Sequence, residues 1–155
     1  LVRRESLVKS KAYFISEALA EIGGAADLEE AVDLVSYTYD RAHPDLEEGS
    51  LKGKYTNQSE VRNLVFDERQ REFLFEGKRY FDLVRRMRRE GSPTNIVNTY
   101  LMRKYTSMSL DETTVRSKLD DKDAIYLPIH EEELRVNPLL VQNRFYMASE
   151  DISKN

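Results

Sequence analysis

The chain has 155 residues, 34% of them charged, with 24 Lys+Arg against 28 Asp+Glu for a net charge of −4. With no Cys it cannot hold a disulfide framework, a thiolate zinc site, a cysteine nucleophile or a lipid-bearing cysteine. Its charge has the wrong sign for a nucleic-acid footprint, and the longest stretch free of charge, Gly91 to Met102, falls well short of the about 20 apolar residues a spanning helix needs.

Low Gly (6) and Pro (4) with high charge predict long amphipathic helices. The chain begins with Leu1 and lacks the charged, apolar and small-residue parts of a signal peptide, so it is expected to be a piece of something longer. From Leu7, the residues Leu7, Val8, Phe14, Ile15, Ala18, Leu19 and Ile22 recur at helical spacing, and Gly23-Gly24 supplies a stop. Asp27 is the expected N-cap of the next helix, with Glu30 three residues on. Its stripe is Leu28, Ala31, Val32, Val35 and Tyr39, and it must end before Pro44. A turn this short predicts a helical hairpin over 1–44 of the kind that solenoid repeats use.

Residues 43–58 carry Pro44, Gly49, Gly53 and mixed charges without periodicity, which predicts a loop leading to Ser59 as N-cap. Gly49 to Tyr55 superficially suggests a phosphate loop. It has three residues between its glycines instead of four, and Tyr55 stands where a Ser/Thr is needed to bind Mg²⁺. The pattern then predicts one long helix over 59–91, with Gly77 its interior weak point and Gly91 its terminator. Ser92-Pro93 opens a further helix carrying Ile96, Val97, Tyr100, Leu101 and Tyr105. Asp111 to Asp123 is polar and expected to be irregular. Ala124 to Leu127 is β-prone, Glu131 to Leu134 a short helical turn, and Asn137-Pro138 a turn.

Glu68, Glu72 and Glu76 fall in one row along the long helix, and Arg69 and Arg79 sit three residues from Glu72 and Glu76, with Arg79 also three from Asp82. Carboxylate rows can serve acid/base or metal chemistry, but no His lies between His43 and His130 to complete a bundle metal site. A structural ion-pair network of Glu68, Arg69, Glu72, Glu76, Arg79 and Asp82 is the main expectation. Arg85-Arg86-Met87-Arg88-Arg89 complements a helix C-terminus. Phe73, Tyr80, Val84 and Met87 follow core spacing, whereas the aromatics Tyr100, Tyr105 and Tyr146 are weak candidates for ligand contact. No Ser/His arrangement suggests a triad.

The order of motifs carries more than any one of them. The run Asp67-Glu68-Arg69-Gln70-Arg71-Glu72-Phe73-Leu74-Phe75-Glu76-Gly77-Lys78-Arg79-Tyr80-Phe81-Asp82-Leu83-Val84-Arg85-Arg86 resembles the signature of the SusD/RagB family of Bacteroidetes outer-membrane nutrient-binding lipoproteins. The stretch from Ala124 through Pro128-Ile129, Asn137-Pro138, Gln142-Asn143 and Tyr146 is similar to that family's closing motif, over 124–146. Glu17-Ala18, Arg41-Ala42 and Lys104-Tyr105 match recurrent positions elsewhere. Tyr80 stands where Trp is common, and Arg144 where Pro is.

The resemblance implies a mainly α, tetratricopeptide-like fold: a helical hairpin, a long helix and a partly irregular C-terminal segment with little β. It further implies a C-terminal portion of a longer, surface-exposed outer-membrane protein, whose signal peptide and lipid anchor lie outside this chain. Such a protein binds glycans or other nutrients without catalysis or cofactor, beside a SusC-like TonB-dependent transporter. A helical-repeat protein–protein interaction module without small-molecule ligand is the alternative, and an acid/base enzyme using the glutamate row is the third reading.

Overall fold

The computed structural model describes residues 2–108 and 111–147, excepting the side chains of 2–10, 106 and 107. The side chains of Leu7 and Val8 in the first expected stripe, the first residue of the 1–44 segment and both ends of the 1–155 segment therefore lie outside what is described. Helices dominate and no strand occurs among the described residues, so the chain is mainly α. It divides into two compact units, one up to Arg79 and one from Tyr80 onward.

The first unit holds α1 (Val2–Ile22), α2 (Ala25–Ala42) and α3 (Gln58–Glu72), each packed on the other two. Gly23, at φ +80°, ends α1 and donates its N–H to the Leu19 carbonyl at 3.0 Å. The Gln58 side-chain amide then donates to the Ala20 and Glu21 carbonyls at 3.0 and 2.9 Å, satisfying helix-end acceptors that would otherwise be orphaned. A Cβ at Gly23 would collide with that amide. Gly23→Ala is thus expected to destabilise the protein by about 1–2 kcal/mol, through the left-handed backbone and the displaced cap, read as a lowered urea midpoint. Helix α2 starts three residues earlier than expected. Gly24 is its N-cap and Asp27 lies in its first turn, because two glycines suffice to reverse the chain.

The buried face of α2 is Leu28, Ala31, Val32 and Val35, as its spacing predicts. The face of α1 is not the expected one. Tyr13, Ser16 and Ala20 are buried, whereas Phe14, Ile15 and Ile22 are about half or more exposed. Small residues at 16 and 20 let the facing helices approach closely, and the Ser16 hydroxyl meets its need locally by donating to the Tyr13 carbonyl at 3.1 Å. Thr38 donates its hydroxyl proton to the Val35 carbonyl, so in the 2.6 Å contact between Tyr13 and Thr38 the phenol is the donor. Helix α3 is capped by Asn57 rather than Ser59: the Asn57 side-chain carbonyl accepts the Glu60 N–H at 2.9 Å. The glycine-flanked loop before it is a core plug, with Leu51 buried and Gly49 N–H held by Asp40 at 2.8 Å.

The single helix expected over 59–91 is two helices. It stops at Glu72 and resumes as α4 (Arg79–Glu90) after a turn in which Phe75 and Gly77 both have positive φ, 66° and 70°. Neither conformation propagates a right-handed helix. Phe73 anchors the turn: its ring is buried edge-on to Tyr13 at 5.5 Å, with Lys78 Nζ 4.0 Å from its centre.

In the second unit, the remainder of α4 ends where expected, at Gly91. Asp82 and Met87 form its buried side. Ser92 accepts the Thr94 N–H at 3.2 Å, opening α5 (Thr94–Ile96), which runs through a π-helical segment (Val97–Leu101) into α6 (Met102–Ser107). The stretch expected to be irregular contains α7 (Glu112–Leu119), because Asp111 caps it by accepting the Thr113 and Thr114 N–H groups, both at 3.2 Å. The short α8 (Glu131–Val136) follows His130.

The β-prone run from Ala124 forms no strand, because side chains take its backbone groups. Tyr80 donates its hydroxyl to the Ile125 carbonyl at 2.9 Å, and the Asn143 amide donates to the Asp123 and Tyr126 carbonyls at 2.9 and 3.2 Å. Gln142 makes a two-point contact with the backbone of Ile129, at 2.9 and 2.8 Å. The Gln-Asn pair thereby fastens the closing segment.

Candidate functional site

The first unit contains a cleft of about 440 Å³ walled by the end of α2, the following loop and one face of α3. In the last turn of α2, Tyr39 and His43 lie four apart and their rings stack at 4.1 Å, with His43 Nδ1 donating to the Tyr39 carbonyl at 2.9 Å. The loop returns Tyr55 to the same cleft. Both tyrosines rest against the hydrophobic core, which fixes them as walls. Helix α3 supplies Glu60, Asn63, Leu64, Asp67, Glu68 and Arg71, whose spacing of three and four residues places them on one side.

Glu68 is 5% exposed and paired with Arg71. Burial pushes its carboxyl above the usual glutamate range, and the Arg71 charge opposes that shift. Among the described residues the Glu60 and Asp67 carboxylates and the Tyr39 and Tyr55 hydroxyls take part in no hydrogen bond or ion pair. The cleft therefore offers acceptors, hydroxyls, one guanidinium and two aromatic walls. Among the described residues no group of three or more His, Asp or Glu gathers where a metal ion could be held.

The residues of the expected ion-pair network fall in different settings. Glu68 meets Arg71, and Glu72 meets Arg41 of α2 at 3.2 Å. Glu76 lies in the turn after α3, outside any helical row, and meets Lys78 at 2.7 Å. Asp82, 2% exposed, accepts from Arg85 at 2.6 Å. Arg69 is buried, its guanidinium 4.6 Å from the Phe14 ring centre and 5.1 Å from that of Phe73. Arg79 donates to the Phe66 carbonyl at 3.0 Å and covers the Phe66 ring at 3.8 Å. A row through Glu76 requires a continuous helix, and the turn at 73–78 takes Glu76 out of it.

Of the tyrosine candidates, Tyr100 accepts from Arg86 at 3.1 Å on the π-helical segment, and Tyr105 lies half-buried on α6. Tyr146, 43% exposed, sits edge-on to Phe145 at 5.1 Å in a 3₁₀ turn. None of the three lines the cleft. Tyr39 and Tyr55, which do, flank the loop 43–55, and the only sequence signal for them is that a tyrosine stands at either side of it. In the basic cluster, Arg85, Arg86 and Arg88 engage Asp82, Glu90 and Tyr126.

No helix among the described residues is long and apolar enough to cross a membrane. A family model described as the SusD family matches residues 13–146. Neither a curated protein nor a solved structure matches the chain.

Proposed function

Because the chain belongs to the SusD family, we propose that it is a non-enzymatic binding protein of the cell surface, taking glycans or related nutrients and passing them to a SusC-like TonB-dependent transporter. The family works in general as nutrient-binding surface lipoproteins beside such transporters. The observation that carries the reading is the extent of the match, which takes in the helical hairpin from residue 13, the signature segment and the closing motif together. Membrane attachment is through a lipid outside this chain. The test is a glycan-array screen of the full-length protein, with co-purification of its neighbouring outer-membrane transporter.

A protein–protein module without small-molecule ligand is the second reading, favoured by the exposed Phe14, Ile15 and Ile22 on the outer side of α1. Capture of a protein partner with no glycan bound in the screen selects it.

The charged residues of the signature segment serve as scaffold in this reading. Arg79 joins a carbonyl and an aromatic ring, so Arg79→Ala is expected to destabilise by about 2 kcal/mol. Glu76→Ala, which removes a solvent-exposed pair with Lys78, is expected to cost under about 1 kcal/mol. Thermal melting beside glycan titration checks both, and neither change should alter which glycan binds. Unchanged melting together with lost glycan binding would move either residue from scaffold to ligand site.

A further inference from the structure

We propose that the cleft between α2, the 43–57 loop and α3 is a binding site for a single sugar ring without negative charge, and that Glu60 and Asp67 set that charge preference. The proposal deepens the glycan-binding reading and rests on it.

The cleft's volume of about 440 Å³ falls in the range of small-molecule sites, which run to about 300–1,000 Å³. Its lining selects among ligand classes. Three carboxylates, Glu60, Asp67 and Glu68, face one guanidinium, Arg71, so phosphates, nucleotides and uronates meet a net repulsion. A purely apolar ligand would strip water from Glu60 and Asp67, which have no protein partner to replace it among the described residues.

A neutral polyol fits both constraints. Its hydroxyls donate to the open carboxylates, its ring oxygens accept from Arg71 or the tyrosine hydroxyls, and its C–H faces lie against aromatic walls. Pre-organisation favours the same conclusion. Tyr39 and Tyr55 are held by the core, and Tyr39 also by its stack on His43, so little ordering remains for a ligand to impose. The Glu68–Arg71 pair leaves guanidinium N–H groups over, since only one contact is made to Glu68.

The experiment uses saturation-transfer NMR and calorimetric titration of the full-length protein with glucose, galactose, mannose, N-acetylglucosamine and glucuronate, beside the oligosaccharides of the array. At least one of the neutral monosaccharides is expected to bind, with glucuronate weaker by at least about tenfold. Tyr55→Ala and Asp67→Ala should each weaken the neutral sugar by about tenfold or more. Asp67 has no partner among the described residues and lies on a helix, so Asp67→Ala keeps the test decisive if Tyr55→Ala fails to fold. The proposal is overturned if the protein binds oligosaccharides but no neutral monosaccharide, if Asp67→Ala leaves affinity unchanged, or if glucuronate binds as tightly. Binding of no sugar of any size instead removes the glycan-binding reading itself.

Discussion

Phe73→Ala is expected to lower the free energy of unfolding by about 3–5 kcal/mol, the loss typical of a large aromatic removed from a packed core. Phe73 is 5% exposed, packs edge-on to Tyr13, and lies beneath the cationic groups of Arg69 and Lys78. Its truncation removes the contact that holds the turn between α3 and α4 against the first unit's core. The neighbouring residues provide internal controls. Leu74 and Phe75 are 58% and 98% exposed, so their alanine variants should stay within about 0.5 kcal/mol of the parent. Phe75→Gly should be stabilising by up to about 1 kcal/mol, because the position has φ 66° and a glycine adopts it without steric cost. Urea denaturation of the four variants measures the series. Equal losses at 73 and 75 would show that the turn is not anchored through Phe73.

Alkali should unfold the first unit through Tyr13. The phenol is 2% exposed and donates to Thr38, and burial pushes its pKa from 10 up to about 12. The folded state therefore favours the protonated form more than the unfolded state does. The resulting stability is fully present below pH 10, declines as pH rises, and is gone above about pH 12. The total at stake is about 3 kcal/mol. Tyr13→Phe forfeits about 1 kcal/mol at neutral pH through the lost hydrogen bond, and its stability should then fall less between pH 10 and 12 than the parent's does. Denaturant unfolding at stepped pH, followed by circular dichroism, reads both effects. Identical alkaline slopes in parent and variant would place the titration elsewhere.

The parts of the fold that periodicity could reach were local ones. The stripe of α2, the stop at Gly23, the end of α4 at Gly91 and the turn at Asn137-Pro138 all follow from spacing and backbone preference. The face of α1 did not follow, because hydrophobicity ranks Phe14 and Ile15 above Ser16 and Ala20, while close helix approach selects the small residues. The break after Glu72 was hidden by good helix formers on both sides. It depends on Phe73 finding Tyr13, a contact made sixty residues away along the chain. Helix α7 was legible in its cap, Asp111 two and three residues before Thr113 and Thr114, but its polar body offered no stripe to support it. The β-prone run was decided by Tyr80 and Asn143, whose partners in it, Ile125 and Tyr126, lie forty-five and seventeen residues away along the chain.

The candidate site shows the same division. The carboxylates stood out as a row, and the turn after Glu72 takes Glu76 out of it while Glu68 and Glu72 stay on α3. Arg71 and Arg41 are observed on Glu68 and Glu72, and the pairing with Arg41 requires the fold to bring α2 beside α3. Tyr39 and Tyr55 belong to different elements and meet only across the loop, so nothing in their spacing marks a shared cleft. The family resemblance, by contrast, depends on the order of motifs along the chain and needed no tertiary contact to be read; the matched family model covers the same stretch.

Glycan binding by the full-length protein, with the bound sugar recovered and sized afterwards, tests the account most directly. The account predicts that at least one oligosaccharide binds, is recovered intact, and is retained when the TonB-dependent transporter is co-purified. Absence of binding across the array, or recovery of a shortened sugar, would contradict a non-enzymatic nutrient-binding role.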